Sequence, residues 1–112
     1  ASKVQARIGE WRDLSAEIIA AAGRDPQEIG AVSVDFLQYS AYVLLAGLWL
    51  KAAARAQDAL EQGTGEEAFY QAKLASADFY LRRVLPRASA HREAIQGGAE
   101  CLMALPETDF AF

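Results

Sequence analysis

The chain has 112 residues, 53% of them apolar, with 11 basic and 15 acidic side chains and a net charge of −4. That length supports one domain with its own core, and the acidic balance argues against nucleic acid or an anionic membrane held by bulk charge. A single cysteine, Cys101, excludes an internal disulfide and a cysteine-based zinc site, and fits a reducing, cytoplasmic compartment.

From Ser2 to Ala22, Val4, Ile8, Trp11, Ser15, Ile18 and Ala22 recur at steps of three and four, which predicts an amphipathic helix. Gly23 stands where a left-handed C-cap would close it. Asp25-Pro26-Gln27-Glu28 then offers an Asp N-cap, a proline at the first helical position and an early acid, the start signal of a second helix. The N-terminus is amphipathic and charged, unlike a secretory signal.

The second helix is expected to run from Pro26 to Gln62, roughly 55 Å, longer than the first can cover. Its oily middle, Phe36 to Leu50, has only Gln38 and Ser40 as plainly polar residues. One row follows Phe36, Ser40, Val43, Gly47 and Leu50. A neighbouring row follows Leu37, Ala41, Leu44 and Leu48. Two adjacent apolar rows predict a helix covered from at least two sides, so that Leu44→Asp or Leu48→Asp unfolds the domain. The stretch falls short of the roughly 20 residues that span a bilayer, so a buried core helix is expected and no membrane partner.

Gly63 ends this helix, and Thr64 with Glu67 has the spacing of a capping box for the next. Tyr70, Leu74, Ala77, Leu81, Val84, Ala88, His91 and Ile95 then step by four and three in a heptad seam, continued by Gly98, Leu102 and Leu105. Pro86 lies inside the seam and should kink the helix. Gly97-Gly98 breaks it, leaving a short terminal helix that ends at Pro106. Phe110 and Phe112 in the tail are expected to pack back on the bundle or on a partner. The fold class is therefore all-α: one domain over residues 1–112, an up-down-up bundle of three long helices crossing near 20°.

Reactive chemistry is sparse. His91 is the only histidine, in a seam position; Ser89 two residues away does not face it, and the sequence shows no third group to orient it. Gly63-Thr64-Gly65 reads as a turn and not as a phosphate loop. Arg82, Arg83, Arg87 and Arg92 are the one conspicuous charged feature. They form either a solvated face or a docking surface for an acidic or phosphate-bearing ligand. No catalytic, cofactor-binding or metal residue is assigned.

Two stretches resemble a known family. The run from Phe69-Tyr70 through Phe79-Tyr80 to Leu85-Pro86, and the closing Ile95-Gln-Gly-Gly-Ala99 to Met103-Ala-Leu105-Pro, resemble the helical domain appended to the C-terminus of some acyl-CoA dehydrogenases. Leu48-Trp49-Leu50-Lys51 matches as well. The resemblance covers nearly the whole chain and implies a fragment of a larger FAD-dependent enzyme, in which a flavin and a glutamate remove hydrogens from the α and β carbons of an acyl-CoA. FAD is then expected in the parent protein and not in this segment. The implied partners are the parent's catalytic domains and a second copy in a homo-oligomer. The alternative is a helical module that binds an acyl-CoA or an acidic partner through Arg82, Arg83 and Arg87.

Overall fold

The computed structural model describes residues 2–110. Helix α1 spans Ser2–Arg24, α2 Gln27–Gln62, α3 Glu67–Phe79 and α4 Ala88–Gln96, with no strand among the described residues. Helix α2 is the spine: α1 packs antiparallel on its first half, α4 on the same half, and α3 on its second half. The fold is the all-α, up-down-up arrangement. At 23 residues against 36, α1 stops roughly 20 Å short of the end of α2. The remainder of α2 leans on α3 alone.

Local signals account for most helix ends, with three corrections. Asp25 accepts the Gln27 N–H at 3.0 Å and opens α2 as expected. Gly63 takes φ 65 and lets the Thr64 N–H turn back to the Ala59 carbonyl at 3.1 Å. That same turn consumes Thr64, so no capping box forms; α3 begins only at Glu67, behind Glu66, with no side-chain cap. Gly23 does not cap α1, which runs through it to Arg24. The short terminal helix is also absent: residues 97–105 make isolated turns, and a 3-10 turn at Glu107–Phe110 follows Pro106 instead of being stopped by it. Leu102 and Leu105 are exposed, so the heptad seam ends at Gly98.

The kink at Pro86 is distributed over two turns. Tyr80–Val84 is a π-helical turn, closed by the Leu85 N–H on the Tyr80 carbonyl, and Leu85–Arg87 is 3-10. Proline has no N–H to give, and the wide turn before it absorbs the misfit. The altered register turns Tyr80 and Leu85 inward together. They form one buried cluster with Val4 and Ala46, while Leu14, Val32, Tyr39, Val43, Ala88 and Ile95 form another. Tyr42 packs against both.

The largest departure from expectation concerns α2 itself. Its buried residues are Val32, Tyr39, Val43, Ala46 and Ala56, a single seam. The row Leu37, Ala41, Leu44, Leu48 lies on the opposite side and is exposed. Helix α2 is long and apolar enough to cross a membrane by length and composition alone, yet only 22% of its apolar window is buried in the fold. Neighbours flank the helix without enclosing it. Leu44→Asp and Leu48→Asp are thus substitutions on an open surface, and the expectation that they unfold the domain is withdrawn.

Candidate functional site

A polar network ties α1, α2 and α4 together at mid-height. Arg7 donates to Glu10 at 2.8 Å and to the Ser89 hydroxyl at 2.6 Å, and Arg92 lies 3.3 Å from the other Glu10 oxygen. The Tyr39 hydroxyl donates to Glu10, with the Arg7 carbonyl at 3.3 Å. Trp11 donates to Ser40 at 2.9 Å. Among the described residues no buried side-chain polar atom lacks a partner, so the network stores no unmet demand.

Charge in this network responds to burial and neighbours. Burial by itself would raise the Glu10 carboxyl, but hydrogen bonds from Tyr39 and Arg7 and the charges of Arg7 and Arg92 outweigh it and hold the group below its ordinary 4.5. Burial, reinforced by Glu10, pushes the Tyr39 hydroxyl up. A depressed carboxyl gives its stabilisation in full above about pH 4.5 and loses it as pH falls through the lower folded value. Glu10→Gln should flatten the loss of stability as pH falls below about 4.5, read from urea melts. An unchanged acid slope would show that Glu10 is not the group responsible.

His91 has an orienting partner after all. Its Nδ1 sits 2.8 Å from Asp35 Oδ1, and its ring leans on Tyr42 with centroids 5.7 Å apart. Sequence reasoning missed this contact across 56 positions. The available signal was that Asp35 is the only charged residue between Glu28 and Lys51, and a lone charge on an oily helix needs a partner. The Ser89 hydroxyl accepts from Arg7 and stands two residues from His91 on α4, a spacing that does not turn the two side chains toward each other. His91→Ala should cost about 1 kcal/mol of stability, a hydrogen bond to a half-exposed carboxylate, measured as a modest drop in Tm.

The four arginines do not converge. Arg82 bonds Asp78 at 2.8 Å and both are exposed; Arg92 points to α1; Arg83 and Arg87 stand in solvent. Arg82 instead joins Lys3 and Arg7 around a basin of about 230 Å³ floored by Leu81, Leu85 and Pro86. Phe110 is exposed in the last 3-10 turn, and Phe112 lies outside the described residues. A second cleft of about 400 Å³ between the start of α2 and the end of α4 has Glu17, Glu28 and Glu100 in its wall, with the Ala99 N–H bonded to Glu28 at 3.2 Å. Three carboxylates beside Arg24 make this wall acidic on balance. A third cleft, about 450 Å³, is apolar and formed by Trp49, Phe79, Tyr80 and Val84. None of these three has His91 or Asp35 in its wall.

What dominates the surface is apolar. Val34, Leu37, Leu44, Leu45 and Leu48 form a stripe along the back of α2, and Leu102 and Met103 extend it by flanking Gly30 and Ala31. Arg7 and Glu10 mark the edge of α1 that meets α4; Ile8 and Ile19 lie on its other edge and are exposed. Exposed apolar area on this scale marks a contact surface more often than a free one.

Comparison with known proteins gives the family. The family described as "Acetyl-CoA dehydrogenase C-terminal like" matches residues 1–106. The 3-methylmercaptopropionyl-CoA dehydrogenase of Ruegeria pomeroyi (strain ATCC 700808 / DSM 15171 / DSS-3) is 33% identical over 107 residues. That match takes in 92% of this chain and 18% of the relative, so the chain spans under a fifth of the protein it resembles. No solved structure matches. The chain belongs to the acyl-CoA dehydrogenase C-terminal domain family.

Proposed function

We propose that the chain is a non-catalytic accessory domain of an FAD-dependent acyl-CoA dehydrogenase, serving to pack or assemble the catalytic domains. The observation that carries this is the open apolar back of α2, on a module whose Asp35–His91 pair lines none of the three clefts described above. The relative's name supports the enzyme class: it is a dehydrogenase acting on a CoA thioester, more than five times longer than the matched segment. The polar residues of α2 also support a bundle helix over a membrane span. Asp35, Tyr39 and Ser40 are all engaged by α1 and α4, partners that α2 would lose on its own in lipid. A cytoplasmic setting, fitted by the lone Cys101, belongs to the same proposal.

Deleting this domain from the full-length dehydrogenase should leave flavin content and turnover per active site close to those of the intact enzyme. The assembly should melt lower or dissociate. Lost turnover in an enzyme with unchanged assembly and melting would refute an accessory role.

A second reading has one observation behind it. The basin of Lys3, Arg7 and Arg82, with Arg83 and Arg87 exposed on the same helical segment, offers cations around an apolar floor. That suits an acyl-CoA phosphate or an acidic partner. Calorimetric titration with coenzyme A should give heat that vanishes in Arg82→Ala if this reading holds; no heat removes it.

A further inference from the structure

The accessory reading leaves open what covers the back of α2, and we infer that it is a second copy of this chain, laid antiparallel on the same stripe. This rests on the assembly role proposed above and names the partner.

Shape is the first ground. The molecule measures 68 × 33 × 16 Å with a radius of gyration of 19.4 Å, against roughly 13 Å for a compact domain of this length. It is a slab one to two helices thick. Domains bury their apolar faces between layers, and this one supplies a single layer with a bare side. A second slab on that side completes the sandwich.

Area is the second ground. Val34, Leu37, Leu44 and Leu48 are each more than half exposed. With Leu45, Leu102 and Met103 they present on the order of 600 Å² of apolar surface, the upper end for a free monomer and near the ~800 Å² per side of a stable interface.

Self-complementarity is the third. An isologous contact needs one patch that fits itself about a two-fold axis. Ala41 is the small residue at the centre of the stripe. An antiparallel crossing there sets Leu45 against Leu37 of the second copy and Leu48 against its Val34. No charge lies on α2 between Asp35 and Lys51, so nothing along the stripe repels its own image. Beyond the stripe, Lys51 and Arg55 of one copy extend toward the exposed Asp25 just ahead of the other's α2. A parallel pairing would stack like on like. Opposite charges at the two ends favour the antiparallel choice.

The test is sedimentation of the chain with and without Leu44→Arg and Leu48→Arg, together with oxidative crosslinking of Ala41→Cys in a Cys101→Ser background. The wild type should sediment as a dimer. The double arginine variant should show a twofold lower mass with its helical circular dichroism retained. Ala41→Cys should form a disulfide-linked dimer, whereas Ala72→Cys on the exposed face of α3 should not. A wild-type monomer at high concentration, or a dimer indifferent to both arginines, overturns the pairing. So does a monomer that pellets with phosphatidylserine vesicles through the same residues, which would make the stripe a lipid contact. A monomer that still binds the catalytic domains through Leu44 and Leu48 sinks the pairing while leaving the accessory role in place.

Discussion

Tyr39→Ala should cost about 3–5 kcal/mol, the range for truncating a large aromatic in a core, and so remove much of the stability of a domain worth 5–15 kcal/mol. The reason is that Tyr39 serves both sides of its position. Its ring is fully buried among Leu14, Val32, Val43 and Ala88, and its hydroxyl reaches the Glu10 carboxylate that Arg7 and Arg92 also hold. Truncation leaves a cavity between three helices and takes one donor from a carboxylate that is only 20% exposed. Tyr39→Phe keeps the packing and loses the donor, so it should cost roughly 1–2 kcal/mol. Equal effects of the two substitutions in urea melts would place the weight on the hydroxyl and not on the ring.

Leu85→Ala should cost about 2–5 kcal/mol, although it stands next to a proline in a distorted segment that a helix pattern would treat as a weak point. Leu85 is 3% exposed and packs with Val4, Ala46 and Tyr80, whose hydroxyl donates to the Tyr42 carbonyl at 2.6 Å. The π turn and the 3-10 turn aim these two side chains at α1 and α2, so the distortion is an anchor. Pro86→Ala, exposed and without a hydrogen bond to restore in the present geometry, should cost much less. A Leu85→Ala variant that melts like the wild type would mean that α4 is held by the Leu14 cluster alone.

The sequence disclosed the helices, their order and the kink because each has a local cause: periodic apolar residues, Asp25 before Pro26, Gly63 at a left-handed cap, Pro86 in mid-helix. It did not disclose which side of α2 would be covered. Both rows of α2 are apolar, and hydrophobicity alone cannot separate a core face from a docking face. The polar residues held that information. Tyr39, Ser40 and Asp35 mark the sides where α1 and α4 lie, and the row without any hydrogen-bonding group except at its margins is the open one. The capping box failed for a related reason: Thr64 has two competing uses, and closing α2 took precedence over opening α3. Of the candidate surface, the arginines were visible but their separation was not, because Arg82 and Arg92 are drawn apart by Asp78 and Glu10. Lys3 and Arg7 enter the basin through tertiary packing, which no local spacing reports.

Two neighbouring substitutions separate the core face of α2 from its open face. Val43 is 1% exposed and Leu44 is 56% exposed. Val43→Asp buries an unpaired carboxylate at a cost of several kcal/mol, whereas Leu44→Asp places it in water at a cost within about 1 kcal/mol. Thermal melts followed by circular dichroism should show no cooperative transition for Val43→Asp and a cooperative one near the wild type for Leu44→Asp. A cooperative Val43→Asp beside an unfolded Leu44→Asp would contradict that assignment of the faces.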